Sequence, residues 1–579
     1  MNYIDNSLNA DNYSALTISL DTQGNRVEEE LIGFMGPKSN ARTETITWTT
    51  KPPSITGRQR SCDVIPVGSG TVRYVDHLSD IRSAFGAIID TNIIDIIVEK
   101  TNKRLDVIIE KYKTHKEEST KYPFIRRTDS IEIHALIGLI YLRGLLKQNN
   151  DIRAHLYKDI IGNPLFGATM SRNRFSLLLS NLMFDEYEER LQLWPSDRFA
   201  AIRSIFENFN VNCLKYMVPS EYLTIDESLI PMRNQINFKQ YNPMMPAKYG
   251  LLFKSLNDAR YPYTYNSIVY SGKPVNGSGP FYIDSIENSI KKLVTNTSSK
   301  LPLAGRNISM DRLYTSIPIA NWLREKSITV IDTLKHNRIG IPDELKDAKG
   351  REEHSVTLHY ESTKKDIAIC SYTVKTKSSG KKNVLMLTTT RPLLGKTKDD
   401  GKNKPASYKL YDFTKGGTDI VNQKIGTYTC KAKSSKWKMV AFYFMLDTAR
   451  VNAQTIFSIK EGKNLKKTNS YNIMIDLIHK LVKPEIQRRS TTTLQKSVLC
   501  KIRFFIDVNE DADNDENGRE FFPRNSEKGK VCHECNKECY GADYTAKRKK
   551  LSRGKTQCQK CETPACSKHL VQVCKKHFS

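Results

Sequence analysis

The amino-acid sequence predicts a multidomain mixed α/β protein closed by a cysteine-rich metal module, and three observations lead there. The chain has 579 residues, well beyond the roughly 100–200 of an ordinary domain, so three or four structural units are expected. Its apolar periodicity changes from helical to strand-like near Tyr222 and returns to helical from Thr418. Seven of its 12 cysteines crowd into the last 48 residues at paired spacings. Hydrophobic content of 39%, with 27 Tyr and 21 Phe, supplies enough apolar surface for real cores and excludes wholesale disorder.

Residues 1–75 are rich in Asn, Ser, Thr and Gly without periodicity, which predicts a poorly ordered leader. From 76 to 220 the stretches Asp80–Val98, Ile131–Leu146, Ser171–Met183 and Ala200–Tyr216 carry apolar residues at helical intervals. Between 221 and 340, Leu223 and Ile225, Lys248–Leu256 and Tyr263–Ser271 read as a strand meander. The strand Asn307–Met310, the helix Ser316–Lys326 and the strand Ile328–Leu334 then form a βαβ unit. Antiparallel strands followed by a parallel strand with its crossover helix mean a mixed sheet. The Lys-rich stretch 341–407, with short strands Val356–Tyr360, Ile367–Thr373 and Asn383–Leu387, reads as an insertion. Residues 408–428 include the helix Thr418–Tyr428, and 429–505 the helices Met439–Ser458 and Tyr471–Val482. An acidic linker is expected over 506–530 and the cysteine-rich domain over 531–579.

Charge narrows the partners. Ninety Lys and Arg against 63 Asp and Glu leave +27, which points to a polyanion, nucleic acid before membrane. The longest apolar stretch, Ile131–Leu146, is interrupted by Glu132, His134 and Arg143 and reads as a buried helix rather than a membrane span. Met1–Leu20 lacks the basic and apolar regions of a secretory signal, so an intracellular protein is expected.

Three aspartates stand where metal-dependent nuclease chemistry needs carboxylates. Asp226 follows the strand run Tyr222–Ile225, Asp311 follows Asn307–Met310, and Asp419 opens a helix after Gly416 and Gly417. Mg²⁺ is a hard cation that takes oxygen ligands and keeps several waters. Two such ions about 3.5–4 Å apart activate the attacking oxygen and stabilise the leaving oxygen of a phosphodiester displacement. Taken singly, an aspartate at a strand end is explained as well by capping or ion pairing.

The wording of the segments carries more. Thr224-Ile-Asp226-Glu-Ser-Leu-Ile, Phe238-Lys-Gln-Tyr-Asn-Pro with Lys248-Tyr-Gly, Ser309-Met-Asp311-Arg-Leu-Tyr-Thr-Ser-Ile-Pro, Asn337-Arg-Ile-Gly-Ile-Pro342 and Thr414-Lys-Gly-Gly-Thr-Asp419-Ile-Val-Asn-Gln occur in this order. Together they resemble the piggyBac family of DNA transposases over roughly residues 75–579. The resemblance implies an RNase H-like catalytic core with the triad Asp226, Asp311 and Asp419, split by an insertion domain and flanked by a helical dimerisation and DNA-binding domain built from both sides. It implies cut-and-paste transposition through hairpin intermediates into TTAA targets, two Mg²⁺ per site with Mn²⁺ as substitute, a homodimer and a nuclear location. The family commonly has a further Asp three residues after the third, where this chain has Asn422; an amide still offers one neutral oxygen to the metal. Lys248, Lys335, Arg338, Lys433 and Lys436 are candidate DNA contacts. Trp437 joins them because the family's Trp at this place lies near the transferred DNA end.

The C-terminal spacing is Cys532-x2-Cys535, then 22 residues, then Cys558-x2-Cys561-x4-Cys566-x2-His569-x4-Cys574-x2-His577. Four pairs supply eight ligands, enough for two closed tetrahedral Zn²⁺ sites whose binding provides the folding energy. In a cross-brace zinc finger the first and third pairs share one ion. That assigns Cys532, Cys535, Cys566 and His569 to one site and Cys558, Cys561, Cys574 and His577 to the other; His533 and Cys539 are left over. With 11 Lys or Arg against 4 Asp or Glu from Val531 onward, the module is basic, which suits phosphate contact. Lys547-Arg-Lys-Lys550 reads as a nuclear import signal or a DNA contact. Besides an active transposase, a domesticated relative that binds DNA or chromatin without cutting is consistent with the sequence. A RING-like ligase or PHD-type reader explains only the C-terminal module.

Overall fold

A computed structural model describes residues 30–34, 45–53, 64–113, 122–158, 161–363, 366–376, 380–390, 405–465, 468–492 and 494–512, with strands at 524–531, 553–557 and 564–565. The chain divides into two compact units, one from Met1–Ile93 with Asp185–Ser470 and one from Ile94–Phe184 with Tyr471–Ser579.

The first unit is built on one large sheet. Its strands are β1 (Glu30–Phe34), β2 (Thr45–Thr49), β5 (Tyr222–Pro231), β6 (Gln240–Tyr241), β7 (Tyr249–Asp258), β8 (Thr264–Val269), β9 (Asn307–Met310), β10 (Thr329–Leu334), β11 (Val356–Glu361), β12 (Ala368–Thr376) and β13 (Gly380–Thr388). Two short strands, β3 (Gly70–Thr71) and β4 (Met217–Val218), pair apart from it. Its helices are α1 (Ile81–Ile88), α6 (Tyr187–Leu193), α7 (Ala200–Cys213), α8 (Ile286–Ser298), α9 (Ile317–Glu325), α10 (Asp343–Lys346), α11 (Ala406–Thr414), α12 (Gly417–Thr427) and α13 (Trp437–Lys460). At the centre the order is β8-β7-β5-β9-β10, antiparallel as far as β5 and parallel from β5 through β9 to β10. A mixed sheet with helices of this order fits a nuclease-like core. All four residues of β9 are buried, as expected of a parallel strand covered on both faces.

The later strands of the expected meander and the βαβ unit form within one or two residues of where periodicity placed them, but the first strand runs on to Pro231, paired along its length with β7, so Asp226 lies within it rather than after it. Two further expectations need correction. The leader is not uniformly without structure: Thr45–Thr49 adds a strand beside β11, and Trp48, fully buried, donates its indole N–H to the Gly340 carbonyl at 2.9 Å. A buried Trp with its N–H satisfied anchors a strand that composition alone hides. The strands of the stretch read as an insertion are not a separate sheet. β13 pairs antiparallel with β10, so β11–β13 continue the central sheet over a core of Ile331, Leu358, Tyr360, Cys370, Met386 and Tyr408.

The second unit is helical: α2 (Thr91–Lys113), α3 (Ser130–Leu145), α4 (Pro164–Thr169), α5 (Arg172–Asn181), α14 (Ser470–Ser490) and α15 (Lys496–Ala512). Thr91 begins a new helix because the chain breaks at Ile89–Asp90, where Asp90 accepts the Ile93 N–H. α15 runs into the stretch expected as an acidic linker, and strands β14 (Arg524–Val531), β15 (Arg553–Gln557) and β16 (Pro564–Ala565) follow. α3 approaches α14 through Gly138, where a Cβ would fall 2.6 Å from Val482 Cγ1. No helix among the described residues is long and apolar enough to cross a membrane.

A buried ion pair fixes this unit. Glu132 is 1% exposed, accepts from Arg174 Nε at 2.8 Å and Nη2 at 2.6 Å, and takes further bonds from Arg126 and Thr128. Arg174 also donates to the carbonyls of Phe124, Arg126 and Arg127, sewing the loop before α3 onto α5. Burial pushes the Glu132 carboxyl up, yet the Arg174 bonds and charge outweigh it and hold the group below its usual range. Removing one partner leaves an uncompensated buried charge, so Arg174→Met is expected to cost about 3–5 kcal/mol. In urea melts followed by circular dichroism the variant should lose stability at pH 7. The pair's contribution in the parent should be present above the ordinary glutamate range and fade as pH falls through the depressed value.

Candidate active site

The sheet brings the first two aspartates together by register. Tyr222–Ile225 of β5 lies beside Asn307–Met310 of β9 in parallel, so Asp226, still within β5 and paired with Ser255 of β7, and Asp311, just past the end of β9, stand at the same level. The end of β9 is fixed by Asp332 on β10, whose Oδ1 accepts the Met310 N–H at 2.6 Å. Asp332 is fully buried with Oδ2 unpartnered, and burial pushes its carboxyl well above the usual range.

The third aspartate arrives on α12, which docks on β5 and β7. At Gly417 a Cβ would stand 2.8 Å from the Asp258 carbonyl oxygen and 3.0 Å from Thr224 Oγ1, so the first turn of the helix lies on the sheet only because the residue is glycine. Thr418 shares a 2.8 Å hydroxyl bond with Thr224 and accepts the Asn257 amide at 2.8 Å. One turn later the Ser228 hydroxyl donates to Asn422 Oδ1 at 2.6 Å. Val421 and Ile425 bury against Val451 of α13. Asp419 stands in the first turn of α12, where the helix N-terminus favours a negative charge. Asp311 and Asp419 are open to solvent and Asp226 is partly buried.

Electrostatics separate Asp226 from the structural carboxylates. Asp258 is fully buried but accepts from Ser220 N and Oγ, Arg260 N, Tyr261 N and Tyr265 Oη, all within 2.9 Å. Asp226 accepts the Glu227 N–H at 2.7 Å. Burial, and then the charges of Asp419 and Asp311, push its carboxyl up to about 6. Like charges gathered in a partly desolvated place raise a carboxyl in this way, and a cation relieves it. The hard oxygen donors suit Mg²⁺. Among the described residues no three His, Cys, Asp or Glu side chains converge closely enough to cage an ion by themselves.

A neighbouring group was not foreseen. Glu227 points to the face opposite Asp226 and pairs across the ladder with Lys254. The Tyr314 hydroxyl donates to Glu227, and the Lys254 ammonium lies 5.3 Å from the Tyr314 ring centre and donates to Ser289 at 3.0 Å. Burial depresses Lys254. The loop after Asp311 is thus held by Tyr314 on one side and, through the Leu313 carbonyl, by Arg338 on the other. The alternation of β5 was the available signal for Glu227; Tyr314 and Lys254 carried none.

Of the candidate DNA contacts, Lys248, Lys433 and Lys436 are exposed, and Lys335 is half-buried. Arg338 is engaged with the Leu313 carbonyl. Trp437 is half-buried and packs its ring on Phe199 and Phe238, with centroids 5.4 and 5.3 Å away. The eight zinc ligands expected from spacing, Cys532, Cys535, Cys558, Cys561, Cys566, His569, Cys574 and His577, lie outside the described residues, as do His533, Cys539 and the basic run Lys547–Lys550.

Comparison with known proteins gives the family and the fold. Residues 81–454 match the family model described as Transposase IS4. Human PiggyBac transposable element-derived protein 3 is 22% identical over 339 residues, 58% of this chain and 56% of that protein. Human PiggyBac transposable element-derived protein 2 is 23% identical over 460 residues, 73% of this chain and 66% of that protein. The chain therefore spans between about half and two thirds of the curated relatives it matches. Among solved structures, the piggyBac transposase synaptic complex with hairpin DNA shares the fold at a TM-score of 0.67 and 24% identity, covering 87% of this chain and 98% of that one. The family match over residues 81–454, the piggyBac-derived relatives and the parallel strand pair that carries Asp226 and Asp311 place this chain in the Transposase IS4 family as a piggyBac-type transposase.

Proposed function

We propose that the chain is a cut-and-paste DNA transposase that cleaves element ends through hairpin intermediates and joins them to TTAA targets. The observation that carries this reading is the raised carboxyl of Asp226 on β5, beside Asp311 at the end of β9 and Asp419 in the first turn of α12. Asp226, Asp311 and Asp419 would hold divalent metal, and Asn422 would contribute through its amide oxygen. Bound there, Mg²⁺ or Mn²⁺ supplies charge neutralisation for attacking and leaving oxygens of phosphodiester hydrolysis and transesterification. The chain's own part is to hold the carboxylates in place: Gly417, Thr418 and Thr224 seat α12, while Tyr314 and Arg338 hold the loop after Asp311. Double-stranded DNA as partner agrees with the net charge of +27 and with a solved neighbour that is a DNA synaptic complex. A homodimer, a nuclear location and two structural Zn²⁺ in the C-terminal module complete the proposal. The alternative is a domesticated DNA- or chromatin-binding protein, and the curated relatives' description as transposable element-derived keeps it in play.

Alanine at Asp226, Asp311 or Asp419 should lower end cleavage by more than the roughly 10–100-fold that loss of an outer-shell partner costs, with duplex binding nearly intact. Retained cleavage in Asp311→Ala would remove the triad assignment, and absence of any cleavage by the parent in Mg²⁺ or Mn²⁺ would favour the domesticated reading. Because protonated Asp226 must lose its proton to bind metal, and that proton leaves near pH 6, the half-saturating Mg²⁺ concentration should rise by about tenfold per unit below pH 6.

Asn422→Asp exchanges a neutral acceptor for a carboxylate that can still take the Ser228 hydroxyl. It should lower the Mg²⁺ concentration for half-maximal cleavage severalfold; an unchanged or higher requirement would show that the position does not face the metals.

For the C-terminal module, Cys558→Ser reduces a four-ligand site to three and should unfold it. Titrations of true and scrambled element ends at several salt concentrations should then show specific affinity lost and weak, salt-sensitive binding retained. Full retention of the specificity ratio would assign end recognition to the helical unit.

A further inference from the structure

The β6–β7 hairpin carries an exposed apolar tip that neither the metal site nor the zinc module uses. Met244 is 90% exposed, Tyr241 56% and Tyr249 51%. The two tyrosines are register partners, with ring centroids 4.7 Å apart, and the Lys239 ammonium lies 5.5 Å from the Tyr249 ring centre. Solitary apolar residues at a surface need no explanation, but three in one hairpin form a patch.

The tip is also preorganised. Asn242 N–H donates to the Lys248 carbonyl at 3.0 Å, Asn242 Oδ1 accepts the Met244 N–H at 3.1 Å, and the Asn242 carbonyl accepts the Met245 N–H at 3.3 Å. Pro243 and Pro246 flank the two methionines and restrict the backbone further. From Pro231 to Gly250 there is no Asp or Glu, whereas Arg233, Lys239 and Lys248 are present. A rigid apolar point on a purely cationic stem is complementary to a stack of bases inside a phosphate cylinder.

Position agrees with this. The β9 pairing of β5 ends at Ile225, but β5 and β7 continue together to Pro231 and Gly250, so their ribbon projects past the ends where the aspartates stand. Ser255 lies opposite Asp226. From there to Tyr249 the strand advances roughly 20 Å at about 3.3 Å per residue, the length of about six base pairs.

We propose that Met244, at the tip of this hairpin, is a wedge that enters a base step of bound DNA, with Tyr241 and Tyr249 as the stacking platform behind it and Lys239 and Lys248 on the phosphates. The proposal rests on DNA being the substrate. Apolar wedges of this kind part base steps and kink the duplex, and a step that is already mispaired opens at lower cost.

The test uses the full chain and two duplexes of equal length, one fully paired and one with a central two-base mismatch carrying 2-aminopurine. The parent should bind the mismatched duplex about tenfold more tightly and raise the 2-aminopurine fluorescence. Met244→Ser should lose both effects with an unchanged salt dependence, and Met244→Leu should keep them. Lys239→Ala with Lys248→Ala should keep the preference and lower the slope of log affinity against log salt by about 2. A parent that binds both duplexes equally, a Met244→Ser variant that retains the preference, or an unchanged slope in the lysine variant would overturn the wedge while leaving the transposase reading intact. A parent that binds neither duplex would overturn that reading itself.

Discussion

A partly buried carboxylate crowded by like charges is the constraint on which the central unit depends. Burial first, and then the charges of Asp419 and Asp311, push the Asp226 carboxyl up to about 6. Here each carboxylate is delivered by an element that cannot easily move: a strand paired on both edges, a buried four-residue strand whose last N–H is tied to Asp332, and a helix seated through Gly417 and the Thr224–Thr418 bond. The scaffold absorbs the unfavourable electrostatics, and a site that favours cations results.

Residue chemistry around the site divides according to how fully each charge is satisfied. Asp258 has five donors and acts as a strut for the start of β5. Glu132 in the helical unit is answered by Arg174 and is likewise architectural. Asp226 is neither paired nor surrounded by donors, which is the condition in which a perturbed carboxyl marks chemistry rather than structure. Glu227, one residue on, faces the other way and has Tyr314 and Lys254 near it, so adjacent acids on one strand meet different surroundings: Asp226 the other aspartates, Glu227 the loop after Asp311.

Much of the central fold was legible because its signals are local. Asn307–Met310 was bounded to the residue, and the strand-to-helix order of the following segment was read from period alone. The three aspartates were singled out after short apolar runs and a Gly-Gly helix start, and joined as a triad by the resemblance to the piggyBac family. What stayed hidden depends on distant partners. Strand Thr45–Thr49 exists because Trp48 reaches Gly340, and the continuity of β11–β13 with the main sheet rests on the pairing of β13 with β10. Tyr314 and Lys254 matter only through Glu227, and the half-buried Trp437 has Phe199 and Phe238 against its ring. Short apolar patterns cannot announce which segment will cover them.

The central claim is that divalent metal binds between Asp226 of β5, the end of β9 and the start of α12. Loading the full chain with Fe²⁺ in place of Mg²⁺ and adding ascorbate and peroxide generates hydroxyl radicals at the ion, which cut the polypeptide nearby. Mapping the fragments by mass spectrometry should place cuts beside Asp226, Asp311 and Asp419, suppressed by excess Mg²⁺ and absent from Asp226→Ala. Cuts confined to other segments, or the same cuts in Asp226→Ala, would contradict it.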